Sequence, residues 1–176
     1  MNTEPTIMTI NQLSNEEIAY LAGFIDGDGC INAQIVKRED YKLKFQIRVS
    51  ITLFQETKHH WFLLQIHKQI GYGSIRKRPD GMSEYAIVGP QIVTTILKQL
   101  LPYLRIKRRQ AELVLQICEH LSQKQDGVAF LQLCAKADQI GELNSSKKRT
   151  ITANVVKERF LLDGLITDTI SVHDSP

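Results

Sequence analysis

The chain has 176 residues, enough for one domain with a substantial hydrophobic core. Hydrophobic residues make up 43% and charged residues 23%, a globular composition that excludes an intrinsically disordered chain. No apolar run approaches the roughly 20 residues of a membrane span, and residues 1–12 lack the Lys and Arg of a signal or transit peptide.

The net charge of +3 is unevenly distributed. Residues 1–28 carry −5, residues 29–89 carry +5 and residues 90–176 carry +3. This separation suits a polyanion bound over a carboxylate centre. The three cysteines, Cys30, Cys118 and Cys134, contain no C-x-x-C pair, so we interpret them as reduced thiols of an intracellular protein.

A helix is predicted from Ser14 to about Asp26, after a loose arm over residues 1–12. Residues 14–17 read S-x-x-E, a capping box, and the apolar spacing that follows is helical. A second stripe contains only very small residues, four apart: Ala19, Gly23 and Gly27. Glycine inside a helix costs about 0.5–1 kcal/mol relative to alanine. Close packing against another helix would offset that cost.

Two hairpins and a helix are predicted next. Residues 30–36 and 42–53 alternate between apolar and polar side chains, the pattern of strands with one buried face. A helix over 57–70 ends at Gly71. Strands at 74–78 and 83–88 flank a Pro79-Asp80-Gly81 turn.

The remainder is predicted to be helical, over 90–101, 107–121, 127–143 and 153–164, with a basic connection at 145–150. The fold class is therefore α+β: an αββαββα unit with a four-stranded antiparallel sheet backed by helices, plus C-terminal helices. We expect one domain over residues 13–165 and a flexible tail over 166–176.

The clearest candidate for chemistry is Asp28, at the end of the first helix. Free carbonyls and the helix dipole disfavour an anion there, but favour a hard cation bound by the carboxylate and a carbonyl, plausibly that of Gly27. Asp26 is two residues away and cannot share its helical face. Alternatively, Asp26 and Asp28 are only turn residues of a Gly-Asp-Gly loop.

Residues 21–29 read LAGFIDGDG, and they resemble the LAGLIDADG motif of homing endonucleases. The αββαββα order over residues 14–104 is similar to that family. A subgroup of that family is also similar at three further segments: the single-motif enzymes encoded in introns of algal chloroplast ribosomal RNA genes. These segments are Trp61-Phe62-Leu63, residues 102–107 and residues 143–147. The resemblance implies a chloroplast protein that hydrolyses double-stranded DNA with Mg²⁺, for which Mn²⁺ can substitute.

Three catalytic positions follow from this resemblance: Asp28 on the metal together with Gly27, Gln55 orienting metal-bound water, and Lys107 near the scissile phosphate. His59 falls where close relatives carry Arg. Lys107 could instead be a solvated member of a basic run. His59, His60 and His67 lack a nearby Cys or carboxylate that would complete a zinc site.

The polar sheet face is predicted to read bases in the major groove, because each base pair shows a distinct donor and acceptor pattern there. The candidates, which could also form an ordinary solvated face, are Asn32, Gln34, Tyr41, Lys42, Lys44, Gln46, Arg48, Arg76, Arg78 and Glu84. Glu84 could accept from cytosine or hold an arginine. A loop suited to phosphates contains Ser146, Lys147, Lys148, Arg149 and Thr150.

A homodimer is predicted because the chain carries one motif. Residues 162–168 look similar to it, but only eight residues follow Asp168. The expected interface comprises Ala19, Ala22, Gly23, Asp26 and Gly27. Two copies would bring their Asp28 carboxylates together, which calls for metal. No membrane or small-molecule substrate is expected. The alternative functions are an intron-RNA maturase and a non-catalytic DNA-binding regulator.

Overall fold

The computed structural model describes residues 13–167, and the elements within that range follow the predicted order. The helices are α1 (Asn15–Asp28), α2 (His60–Ile70), α3 (Pro90–Leu100), α4 (Arg108–Leu121), α5 (Gly127–Leu143) and α6 (Ala153–Leu162). The strands are β1 (Gly29–Lys37), β2 (Phe45–Glu56), β3 (Ser74–Lys77) and β4 (Met82–Val88), with a 3₁₀ turn at Thr57–His59. The predicted α+β class is confirmed.

Helix α1 begins with the predicted capping box. The Ser14 hydroxyl accepts a hydrogen bond from the Glu17 backbone N–H at 3.2 Å, and the Glu17 carboxylate accepts from the Ser14 N–H at 2.8 Å. The helix continues two residues beyond the predicted end, to Asp28. Its buried face consists of Ile18, Leu21, Ala22 and Ile25.

The four strands form one antiparallel sheet in the order β1-β2-β4-β3. Register pairs Gly29 with Leu53 and Lys37 with Phe45, so alternate residues of both strands point to the same face. That face is apolar and buried, and it includes Ile31, Ala33, Ile35, Ile47, Val49, Ile51, Leu53, Tyr85 and Ile87.

The predicted start of the second strand at Lys42 is wrong, since β2 begins at Phe45. Residues 42–44 belong to a turn closed by a hydrogen bond from the Arg38 N–H to the Lys44 carbonyl, 2.8 Å long. Lys44 has a positive φ of 59° and cannot extend the strand. The alternation of apolar and polar residues thus begins in the turn, three residues before the start of β2.

The helices pack on the apolar face of the sheet and leave the other face uncovered by helices. Helix α1 contacts β1, β2 and α3, while α4 and α5 pack against β1 and each other. Helix α3 covers β2 and β4. No helix in the described part of the chain is long and apolar enough to cross a membrane.

The two predicted terminal segments lie mostly outside the described residues. The arm over 1–12 and the part of the tail over 168–176 fall entirely there. Ile166, which we assigned to the tail, is partly buried and packs on the core. A Cβ added to Gly127 would lie 2.9 Å from the Cγ2 atom of Ile166, so α5 begins in close contact with the residues that follow α6.

The core predicts a sharp difference between two identical substitutions. Leu97 of α3 is 0% exposed and Leu162 of α6 is 84% exposed. Leu97→Ala removes buried methyl groups and leaves a cavity, so the free energy of unfolding should fall by about 2–5 kcal/mol. Leu162→Ala should change it by less than about 0.5 kcal/mol. Guanidinium unfolding of both variants measures this, and equal effects would contradict the assigned core.

Candidate active site and nucleic-acid interface

The last turn of α1 carries two carboxylates with different partners. The Asp26 carboxylate accepts hydrogen bonds from the backbone N–H of Arg105 at 2.8 Å and of Lys107 at 2.9 Å. The Lys107 Nζ donates to the Asp26 backbone carbonyl at 2.6 Å. Asp26 therefore connects the turn before α4 to the end of α1. Its backbone carbonyl binds the Lys107 ammonium, and Asp26 itself lies two residues before Asp28 in the sequence.

Asp28 is exposed and contacts the end of β2. The Gln55 Nε2 donates to its Oδ2 at 3.1 Å, and the Gln55 Oε1 lies 3.2 Å from Nδ1 of His59. Because the amide donates through nitrogen, its oxygen is the acceptor, so His59 carries a proton on Nδ1 in this arrangement. His59 thus fixes the orientation of the Gln55 amide.

Gly29 allows α1 to pass directly into β1. Its backbone N–H still bonds to the Ile25 carbonyl, while its own conformation is already extended. A Cβ at this position would lie 2.7 Å from the Ile25 Cα, so any larger residue would push the strand away from the helix. This tight transition sets Asp28 at the base of the sheet.

The three predicted catalytic residues therefore lie around one helix end: Asp28 and Gln55 in contact, and Lys107 on the Asp26 carbonyl. Oxygen donors such as the Asp28 carboxylate and a backbone carbonyl suit a hard divalent cation. No group of three His, Cys, Asp or Glu residues within 13–167 could hold a metal ion. Asp28 is therefore the single carboxylate that we assign to a cation site here, with backbone carbonyl oxygens as the other protein donors.

The uncovered sheet face carries most of the predicted base readers. Gln34 and Arg48 are exposed and are Cα partners across β1 and β2, and Gln46 lies on the same face. Tyr41 and Lys42 are exposed but lie in the turn that precedes β2. The Lys44 Nζ donates to the Glu39 carbonyl at 2.7 Å, so that ammonium stabilises the turn and does not lie on the strand face as predicted.

Arg38 is a surface residue that the sequence analysis missed. Its guanidinium donates to both carboxylate oxygens of Asp40, at 2.9 and 3.0 Å, and to the Gln46 Oε1 at 3.2 Å. It also lies 4.7 Å over the Tyr41 ring. The hydrogen bond from Arg38 holds the pKa of the Asp40 carboxyl below its usual value. Alternation of Gln34 and Val36 could have placed Arg38 on the same face.

Glu84 lies between the two arginines of the second hairpin. Its Oε2 accepts from Arg76 at 3.1 Å and lies 3.8 Å from the Arg78 Nη1. Of the two roles that we considered for Glu84, the structure shows it holding arginines. Arg78 follows the last residue of β3 and also pairs with Asp80 at 2.7 Å, so it is not on the strand as predicted.

The basic loop after α5 is divided between exposed and inward-facing residues. Ser146, Lys147, Lys148 and Thr150 are exposed. Arg149 is half-buried, and its guanidinium bonds to three protein oxygens, those of Asn32, Ala33 and Ala137. Burial lowers its pKa from the usual value. The contact between Arg149 and DNA phosphate stays a prediction, and the structure gives it no support, because three of the five guanidinium N–H donors bond to protein oxygens.

The outer side of α1 is free of large side chains. Ala19, Gly23 and Gly27 are exposed, and a Cβ at either glycine would meet no atom within 4 Å. Ala22 is 0% exposed within the core, so its predicted place in a dimer interface is wrong. Asp26 is half-buried, and its interface role stays a prediction.

Exposed aromatic side chains flank this small-residue surface. Tyr20 and Trp61 are each 62% exposed. Both make edge-to-face contacts with Phe62, with ring centroids 6.1 and 6.0 Å apart. Large apolar side chains with this exposure are typical of protein–protein contact surfaces. Sequence periodicity gave no sign of them, because Tyr20 lies outside the buried stripe of α1.

Comparison with known proteins gives consistent matches over most of the chain. A family model described as LAGLIDADG endonuclease matches residues 21–115. DNA endonuclease I-CvuI of Chlorella vulgaris is 54% identical over 142 residues, 81% of this chain and 88% of that protein. DNA endonuclease I-CreI of Chlamydomonas reinhardtii is 41% identical over 153 residues, 86% of this chain and 92% of that protein.

A solved structure agrees with the sequence matches. The crystal structure of the homing endonuclease I-CvuI in complex with its target, in the presence of 2 mM Ca, superposes with a TM-score of 0.83. The two proteins are 50% identical in this superposition, which covers 87% of this chain and 98% of that one.

Replacing Asp26 or Asp28 by asparagine should change the free energy of unfolding in opposite directions. Asp26→Asn replaces one acceptor of two backbone N–H groups by a donor, so the free energy of unfolding should fall by about 1 kcal/mol. Asp28→Asn removes an anion from a helix C-terminus and should raise it by about 0.3–1 kcal/mol. Thermal and denaturant unfolding measure both; a loss of stability in Asp28→Asn would contradict the dipole argument.

Proposed function

The chain belongs to the LAGLIDADG endonuclease family, and we propose that it is a homing endonuclease acting on double-stranded DNA as a homodimer. It hydrolyses one phosphodiester bond in each strand of a long pseudo-palindromic site and leaves short 3′ overhangs. Cleavage at an intron insertion site promotes mobility of the intron. The matching I-CvuI structure, determined with its DNA target, supports this assignment.

One observation carries the proposal: Asp28 is an exposed carboxylate at the tip of a helix whose outer side is bare. Ala19, Gly23 and Gly27 let a second α1 approach closely, since within residues 13–167 a Cβ added to either glycine meets no atom of another element within 4 Å. A two-fold axis along this surface brings two Asp28 side chains together. The second chain thereby adds a second carboxylate to the site, where the described residues of one chain hold no cluster of three His, Cys, Asp or Glu ligands.

The metal-binding oxygens are assigned to the Asp28 carboxylate and the Gly27 carbonyl of each chain. Mg²⁺ is the proposed cofactor, with Mn²⁺ as a substitute, because hard oxygen donors prefer such ions. These oxygens would hold a divalent cation, whose chemistry would be to stabilise negative charge on the attacking and leaving oxygens of the phosphodiester. The ion also offsets the repulsion between the two carboxylates.

The chain's own polar groups complete the site. The Gln55 amide, oriented by His59, has an N–H on Asp28 and can orient water beside that carboxylate. The Lys107 ammonium, anchored to the Asp26 carbonyl, supplies positive charge close to the scissile phosphate. Lys107 is the proposed main cation of the pocket, because its ammonium bonds to the end of the helix that carries Asp28.

The uncovered face of the sheet is assigned to the major groove. Gln34, Gln46 and Arg48 offer hydrogen-bonding groups to base edges, and Arg76 is held by Glu84. Arg38 joins this set because its guanidinium contacts Gln46. Phosphate contacts are assigned to the exposed loop side chains Ser146, Lys147 and Thr150.

The proposed compartment is the chloroplast. The chain resembles enzymes encoded in chloroplast introns, and the two endonucleases described above come from the algae Chlorella vulgaris and Chlamydomonas reinhardtii. Its three cysteines are free thiols, as expected in a reducing compartment. Burial raises the pKa of the Cys134 thiol to about 12, so that side chain stays protonated.

Asp28→Asn should abolish cleavage and leave DNA binding intact, because the amide cannot replace an anionic metal ligand. The measurement is nicking and double-strand cleavage with Mg²⁺ on duplex DNA containing the joined exons, alongside binding in Ca²⁺. Glu119→Gln, an exposed carboxylate on α4, is the matched control and should keep full activity.

Cleavage by Asp28→Asn at the wild-type rate would refute the active-site assignment. A wild-type protein that binds this duplex but never nicks it would indicate a non-catalytic regulator. A wild-type protein that binds the intron RNA and ignores the duplex would indicate a maturase.

Gly23→Leu should convert the dimer to a monomer and remove specific cleavage. Among the described residues, apart from the adjacent residues and the backbone of α1 itself, no atom lies within 4 Å of a Cβ at Gly23, so the leucine side chain would project into the surface where the second copy is proposed to pack. Ala135→Leu, at an exposed position of α5, is the control and should stay dimeric. Sedimentation equilibrium gives the mass, and a dimeric, active Gly23→Leu variant would count against the helix pairing.

A further inference from the structure

The loop after α5 is anchored to the free edge of β1. Strand β1 is at one end of the sheet, so alternate carbonyls face away from β2. The Asn144 Nδ2 donates to the Ile31 carbonyl at 2.9 Å, and the Arg149 Nη2 donates to the Ala33 carbonyl at 2.6 Å. The two side chains therefore satisfy consecutive outward carbonyls of the edge strand.

Arg149 also contacts the side chain that lies between those carbonyls. Its Nη2 donates to the Asn32 Oδ1 at 2.6 Å, and its Nη1 donates to the Ala137 carbonyl of α5 at 2.9 Å. A guanidinium has donors and no acceptor, so Asn32 must turn its amide oxygen toward Arg149. What Asn32 can still offer to a ligand is chiefly the two N–H donors of its Nδ2.

Gly141 makes room for this contact. A Cβ at position 141 would lie 2.5 Å from Nε and 2.8 Å from both Cδ and Cζ of Arg149. Real Cβ atoms essentially never lie this close to a non-bonded heavy atom, so even alanine would displace the guanidinium. The position of the Asn32 amide therefore depends on Arg149, and that of Arg149 on Gly141. We call these three residues the Arg149 brace.

We propose that the Arg149 brace determines base specificity by fixing which groups Asn32 presents to DNA; this rests on the proposed DNA-reading role of the sheet. Asparagine recognises adenine with its oxygen and its nitrogen together, on N6 and N7. The bond from Arg149 occupies one of the two lone pairs of that oxygen and fixes the rotation of the amide, which disfavours the bidentate contact. The remaining N–H donors fit a base edge with acceptors only, such as guanine N7 and O6. Arg149 is a positioning residue that acts through Asn32.

The test measures cleavage of a library of duplex targets in which every base pair of the site is varied in turn. Wild type should prefer guanine over adenine at one position in each half-site, and Asn32→Ala should lose that preference at the same position. Arg149→Met and Gly141→Ala should each shift the guanine-to-adenine ratio there by roughly 10-fold toward adenine, since the Asn32 oxygen is released.

Two further variants separate this role from a structural or purely electrostatic one. Asn32→Asp keeps an oxygen for Arg149, and therefore the fold, but removes the N–H donors; it should lose the guanine preference. Lys147→Met removes an exposed charge from the same loop and should lower cleavage equally at all positions.

The proposal is overturned if Asn32→Asp keeps the wild-type profile, or if Arg149→Met and Gly141→Ala lower cleavage uniformly, as Lys147→Met does. It is also overturned if Asn32→Ala changes no position. If wild type cuts no duplex of the library, the endonuclease assignment itself fails; this result differs from all the others because no profile exists.

Discussion

The C-terminal turn of α1 places a carboxylate where the helix itself disfavours negative charge, and the rest of the site depends on this. Asp28 has one protein partner, the Gln55 amide, which is neutral. The last turn of α1 contains no basic residue, and the Lys107 ammonium bonds to the Asp26 carbonyl, so among the described residues the Asp28 carboxylate has no ion-pair partner at the carbonyl end of the helix dipole. In the proposed dimer, a divalent cation bound by the two Asp28 carboxylates would supply that compensation, so the unfavourable placement in the free chain is the basis of the proposed chemistry.

Helix α1 serves three purposes with three groups of residues. Its inner stripe, with Ile25 1% exposed, joins the core and holds the helix against the sheet. Its outer stripe of Ala19, Gly23 and Gly27 offers a close-packing surface at the expense of helix propensity. Its tip is fixed from both sides, by Asp26 on the turn before α4 and by the tight passage through Gly29 into β1.

The elements with a buried apolar face could be predicted from the sequence. The hydrogen-bond partners of long polar side chains could not. Alternation in β1 and β2 reports a buried face, so the strands and the fold class were predictable. Periodicity does not report which oxygen a long side chain will reach. Arg149, taken as a phosphate contact, lies over Gly141 and bonds inward. Lys44 fits the polar positions of the strand pattern, but it lies in a turn with a positive φ. Ala22 is as small as the residues of the outer stripe, but it is buried in the core.

The most direct test of the central claim is anomalous X-ray scattering from Mn²⁺ in crystals of the chain bound to an uncleaved duplex. The account predicts Mn²⁺ between two Asp28 carboxylates that belong to two protomers, with their α1 helices touching at Gly23 and the ion beside a DNA phosphate. Mn²⁺ bound away from residue 28, or one protomer alone on the duplex, would contradict it.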